Sequence, residues 1–228
     1  MTGAKLARAA LPGILIILML SAALSGCIES GKKIVTNEMV TNDDQGKKKL
    51  FDLKMKQYKE LAREYPKVPK YRERIARLYW RGGDHKRALE QLRKARDLDP
   101  GNPRYDFLEG KIYFALGHAS AAEACYKRMI ENTPEEGRFT GPYFELAYLY
   151  LTEGRDREAE EVFQQCLEAD PSFSAPHYYL GKIWERRRDE KKAIEHYEQY
   201  LTLGGREFHA EVMQHLRRLQ PELEIYRP

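Results

Sequence analysis

Residues 76–100 read ARLYWRGGDHKRALEQLRKARDLDP, with small, aromatic and proline residues at fixed intervals. Ala76, Tyr79, Ala88, Leu92, Ala95 and Pro100 are separated by steps of 3, 9, 4, 3 and 5. The same steps run through Gly110, Tyr113, Ala122, Tyr126, Met129 and Pro134, and again through Ala147, Tyr150, Ala159, Phe163, Cys166 and Pro171. A fourth pass reads Gly181, Trp184, Ala193, Tyr197 and Tyr200, with Gly205 at the proline position. The period is 34, 37 and 34 residues, the three extra falling near Gly137–Phe139.

Steps of 3 and 4 put residues on one helical face, so each unit predicts two helices with small and bulky side chains turned toward each other. Small residues let helix axes approach to ~8–10 Å, and the aromatic fills the space between. Gly83, Gly117 and Gly154 suit a left-handed turn between the helices. Asp84, Ser120 with Glu123, and Asp156 are candidate caps for the second helices. Arg188 stands at the fourth turn, where a left-handed backbone costs ~1–2 kcal/mol, so the fourth unit is expected to be the least regular.

On these residues the chain resembles the tetratricopeptide repeat, whose unit is a 34-residue helical hairpin. The resemblance implies an all-α, right-handed solenoid of four hairpins: 69–102, 103–136, 140–173 and 174–207. Repeat arrays need covered ends. Phe51, Met55, Tyr58, Leu61 and Tyr65 predict an N-terminal capping helix over 50–66. Phe208, Val212, Leu216 and Leu219 predict a C-terminal one within 206–228.

Ahead of the array, Lys5 and Arg8 precede the apolar run Leu11–Ala23, about thirteen residues against the ~20 of a spanning helix. The run ends in Leu24-Ser25-Gly26-Cys27, which resembles the lipobox of bacterial lipoproteins. The resemblance implies cleavage after residue 26 and acylation of Cys27, which anchors the protein to a membrane. An ordinary signal peptide with a chance cysteine, or an uncleaved signal anchor, are the alternatives. Ile28, where an aspartate would mark the inner membrane, implies an outer-membrane address facing the periplasm. Residues 27–49 are polar and lack a sustained helical period, and are expected to form a tether of roughly 25 Å root-mean-square reach.

Charge and chemistry exclude other classes. The 228 residues carry a formal net charge of +4, about +2 without the leader, too little for a nucleic-acid binder. Cys27, Cys125 and Cys166 have neither disulfide-framework nor metal-ligand spacing, and the last two are expected to be free thiols. The six histidines match no catalytic or metal motif and are expected to be ordinary surface residues. No enzyme, cofactor or small-molecule substrate is expected.

In tetratricopeptide proteins the first helices line a groove that holds peptides. Residues here that match the inward positions include Lys70, Arg77 and Trp80 in copy one, and Arg104, Phe107, Lys111 and Phe114 in copy two. Phe144 and Tyr148 follow in copy three, and Tyr178 and Lys182 in copy four. Such a stripe suits a peptide bearing carboxylates and apolar or aromatic side chains. Alternatively, Trp80, Phe114 and Leu151 pack on the next repeat and the lysines are merely solvated. The expected function is a lipid-anchored adaptor for a protein or peptide of the cell envelope, with pilus or secretion assembly as the leading case. The alternative is a passive, self-associating spacer subunit.

Overall fold

The computed structural model describes residues 44–133 and 139–221. The leader 1–26, Cys27, the tether as far as 43, Pro134, Gly137 and the tail beyond 221 lie outside the described residues. The chain divides into two compact units at the junction of Glu64 and Tyr65.

Among the described residues of the first unit, helix α1 spans Asp44–Glu64. It begins within the stretch expected to be tether: residues 44–49 are helical. Lys47, Lys48 and Lys49 are good helix formers, and as exposed residues they extend the helix backward without needing to be buried.

The second unit contains the hairpins, each two helices joined by a short turn. They are α2 (Pro69–Arg81) with α3 (His85–Leu98), α4 (Arg104–Ala115) with α5 (Ala119–Glu131), α6 (Thr140–Thr152) with α7 (Asp156–Ala169), and α8 (Ala175–Arg186) with α9 (Glu190–Thr202). A final helix, α10, spans His209–Leu219 and packs on α9. Each second helix packs on the first helix of the next hairpin, and α2, α4 and α6 touch in succession. Stacked in this way, the hairpins form a solenoid with its first helices along one face. No strand occurs among the described residues, and none of their helices is long and apolar enough to cross a membrane.

One turn geometry serves all four hairpins. Asp84 N–H donates to Tyr79 O at 2.9 Å and Gly83 N–H to Trp80 O at 3.0 Å, the paired bonds of a Schellman motif. The same pair recurs after α4, α6 and α8. The motif needs a left-handed residue, met by Gly83 (φ +79°), Gly117 (+74°) and Gly154 (+74°), and by Arg188 at φ +62°. The fourth hairpin therefore keeps the regular turn in spite of its arginine, contrary to expectation. The Schellman bonds leave the next residue as N-cap. Asp84 accepts from Arg87 N–H at 3.0 Å and Asp189 from Lys192 N–H at 3.1 Å. Ser120 and Asp156 do not cap. Those N-cap positions belong to His118 and Arg155, neither of which makes a side-chain cap bond.

The small-to-bulky pairs form the core. Ala76 meets Leu92 and Ala147 shares a cluster with Phe163, all but excluded from solvent. Where the second helix carries tyrosine the first carries glycine. A Cβ at Gly110 would stand 2.5 Å from Tyr126 Cε1, and one at Gly181 2.5 Å from Tyr197 Cε1. The last copy is altered as a set. Tyr200 is buried, its hydroxyl accepts from Phe208 N–H at 2.7 Å, and a Cβ at Gly205 would fall 2.3 Å from its Cζ. A proline could not stand there, so the missing proline and the added tyrosine are one adaptation that turns the chain into α10.

Cys125 and Cys166 are free and buried, and burial pushes their thiols up to about 11 and about 12. The expectation of ordinary surface histidines needs correction at three of them. His177 and His196 are half-buried and face each other, with Nδ1 atoms 3.0 Å apart. Burial, and then its neighbour, holds His177 down to about 4. His215 stacks on Tyr197 at 5.1 Å and its Nδ1 lies 2.7 Å from Glu185. The sequence spacing did not reveal the pair because its members are 19 residues apart, on different helices.

Hairpins two and three are joined electrostatically at Glu123. Its carboxylate receives Arg155 at 2.8 Å, Lys127 at 2.7 Å and the Tyr150 hydroxyl at 2.9 Å. Arg155 foremost, with Lys127 and Tyr150, holds its pKa down at about 2 from an ordinary 4.5. A depressed carboxylate stabilises the fold above its unfolded pKa, and that contribution disappears as pH falls through the folded value. Urea unfolding should therefore show wild type more stable than Glu123→Gln at neutral pH, the gap closing between about pH 4.5 and about pH 2. A gap that does not change with pH would show that the carboxylate's charge is not the source.

Candidate partner-binding groove

The inward face begins at copy one. Lys70 is exposed, Arg77 pairs with Glu73 at 2.8 Å, and Trp80 is half-buried. In copy two Arg104 is exposed, while Lys111 reaches across two rings. Its Nζ lies 5.6 Å from the Trp80 centroid and 5.5 Å from that of Phe107, and it pairs with Glu145 of α6. A cation over aromatic faces contributes about 0.5–1 kcal/mol where exposed. Here it joins three hairpins.

An aromatic series continues from there. Phe107 meets Phe139 edge-on at 5.5 Å, and Phe139 is itself half exposed. Gly141 admits these rings, since a Cβ would stand 2.5 Å from Phe139 Cζ and 3.2 Å from Phe107 Cζ. Phe114 meets Tyr148 edge-on at 6.0 Å, and Tyr148 meets Tyr179 at 5.5 Å. Phe144 sits deeper, against Phe163, Phe173 and Tyr179. Tyr148, Leu151, Tyr179, Lys182 and Phe208 line an open cleft of about 270 Å³ between copies three and four.

Copy four departs from expectation. Tyr178 is only 2% exposed, stacked flat on Phe208 at 4.0 Å. Lys182 is occupied by the Tyr178 hydroxyl at 3.1 Å and by Glu211 of α10 at 3.4 Å. Glu185 is held by His215 and Arg218 of the same helix. The C-terminal segment thus lies over the inward face of α8 and closes that end of the groove. Tyr178 and Lys182 support the cap there, and Tyr178 is not a free contact ring.

The sequence reading missed Phe139, Glu145, Tyr179, Phe208 and Glu211. Phe139 and Tyr179 lie off the inward register counted from each small residue. Phe208 was assigned to a cap, within which Glu211 also falls, without regard to what the cap covers. Burial and the neighbouring Tyr148 raise the Tyr179 hydroxyl to about 12, so it is a neutral donor at physiological pH.

The tetratricopeptide-repeat family matches residues 79–141 and 144–207, together more than half of the chain. The chain belongs to that family. Its repeat array is similar in fold to the solved structure of PilF from Pseudomonas aeruginosa, with TM-score 0.67 and 17% identity, covering 78% of this chain and 79% of that one. It is similar also to PilW, described as a widely conserved type IV pilus biogenesis factor, with TM-score 0.64 and 14% identity over 78% and 80% of the two chains. Among curated proteins, cilia- and flagella-associated protein 70 of Homo sapiens is 31% identical over 86 residues, 38% of this chain and 8% of the human protein. The chain spans less than a fifth of the length of the curated relatives it matches.

Proposed function

We propose that this tetratricopeptide array is an adaptor of the bacterial envelope that holds a segment of a protein partner along hairpins one to three and as far as Tyr179 of hairpin four. The observation that carries the reading is the set of half-buried rings on the first helices: Trp80 and Phe107, spanned by Lys111, and Phe114, Tyr148 and Tyr179, in successive edge-on contact. Rings held partly open by their neighbours offer apolar area at small entropic cost, which is how binding hot spots are built. The Lys111–Glu145 pair favours a segment that brings its own charged groups beside apolar or aromatic side chains. The likeness to a pilus biogenesis factor supports pilus or secretion assembly as the setting.

The anchor belongs to the same reading. The lipobox-like stretch places acyl chains on Cys27, and Ile28 directs the protein to the outer membrane, facing the periplasm. Two or more chains anchor stably where a single chain gives marginal binding. Full-length protein made in cells fed an alkyne fatty acid should take up the label, and Cys27→Ser should lose it. Unlabelled wild type, or labelled Cys27→Ser, would remove the anchor.

The groove is tested by a photo-crosslinking residue at Tyr148 in intact cells. A discrete adduct with a second envelope protein is expected. Adducts with other copies of this chain alone would replace the adaptor by a self-associating spacer.

A further inference from the structure

We propose that His177 of α8 and His196 of α9 form a two-imidazole site for a late first-row transition-metal ion, with Zn²⁺ as the reference case. The pair occupies a position that recurs in each hairpin, one residue on the first helix and another 19 later on the second. Copy one places Arg72 and Gln91 there, joined at 3.3 Å, and copy three Tyr143 and Val162. The hairpin therefore folds with polar or apolar residues at these places, and packing does not require histidine at either.

The geometry favours a ligand. The Nδ1 atoms are 3.0 Å apart and the ring centroids 5.3 Å, so each nitrogen points at the other ring. Two nitrogens bound to one tetrahedral Zn²⁺ at ~2.0–2.1 Å stand about 3.3–3.4 Å apart. The pair must open by a few tenths of an ångström and rock its rings until both lone pairs meet at the ion. The second torsion of histidine is broad enough for that, and the half-buried rings have a solvent side for water ligands. Metal replaces the single proton now shared between the nitrogens, and each ring keeps one N–H by tautomerisation.

The charges around the pair are of both signs, Glu160 drawing a cation and Lys192 opposing it. Glu160 of α7 is the carboxylate whose charge acts on His196. Its own ion pair is with Arg187. Lys192, one turn before His196, carries its ammonium over the Trp184 ring, 3.8 Å from the centroid. Among the described residues no group of three or more His, Cys, Asp and Glu side chains gathers to hold a metal, so the site is two-pronged, with exchangeable remaining positions.

The full chain, titrated with ZnCl₂ by calorimetry at pH 7.5, should bind one equivalent, and excess zinc should raise its melting temperature. His177→Gln and His196→Gln should each weaken binding by about tenfold or more and lose the thermal shift. His85→Gln/His118→Gln should leave both unchanged. Circular dichroism without metal checks that the variants fold. Should either not fold, ¹⁵N spectra of wild type serve instead, with zinc expected to move the Nδ1 resonances of His177 and His196 before those of other histidines. Equal affinity in wild type and folded variants, or zinc shifts confined to other histidines, would overturn the site.

Discussion

Phe163→Ala should lower the unfolding free energy of the array by about 3–5 kcal/mol. Phe163 is completely buried at the middle of the stack. Its ring lies parallel to Tyr179 at 5.5 Å and meets Phe144 at 5.8 Å, so it fills the space between hairpins three and four as well as that between α6 and α7. Truncation removes apolar burial and leaves a void walled by rings that are themselves tied to Tyr148 and Phe173 and cannot readily collapse. Phe163→Leu should cost far less, about 1–1.5 kcal/mol, because leucine already serves at this place in copy one, where Leu92 faces Ala76. Urea unfolding of both variants by circular dichroism measures the difference. If alanine costs no more than leucine, hairpins three and four do not depend on this ring.

The repeat was legible because its signals are local. A small residue, an aromatic three later and a left-handed turn are enforced within one hairpin, and four copies repeat the message, three of them with glycine at the turn. The turn could be read to the residue, and Arg188 adopts the backbone its position requires. The caps were misread by two residues at Ser120 and by one at Asp156, because the Schellman bonds, and not side-chain chemistry, decide which residue stands at the helix start. Which residues share the inward face was legible only where hairpins keep the regular register, as at Trp80, Phe107, Lys111, Phe114 and Tyr148. At copy four the chain returns over α8, and no spacing within a repeat shows that Phe208 will stack on Tyr178. Pairs between helices, such as His177 with His196, are invisible for the same reason. Their partners are neighbours in space alone.

On the proposed reading, replacing Phe107, Phe114 and Tyr148 together by alanine should weaken binding of the partner by about 100-fold or more. Three aromatic contacts of the hot-spot kind would account for that loss, since truncating even one such residue typically costs ~2 kcal/mol or more. The same rings also support the fold, because Phe114 and Tyr148 meet edge-on and such pairs contribute ~0.5–1.5 kcal/mol beyond their burial. Binding and stability must therefore be read separately. The triple variant is expected to keep its helical circular dichroism and melt a few degrees lower, since all three positions are only half-buried and the fully buried pairs are untouched. Lys94→Ala, which removes an exposed pair with Glu90 on α3, should change neither property. With the crosslinker moved to Leu151, the partner adduct should disappear in the triple variant and persist in Lys94→Ala. An adduct that survives in the folded triple variant would mean that the rings exist to join hairpins, and that the partner is held on some other face of the stack.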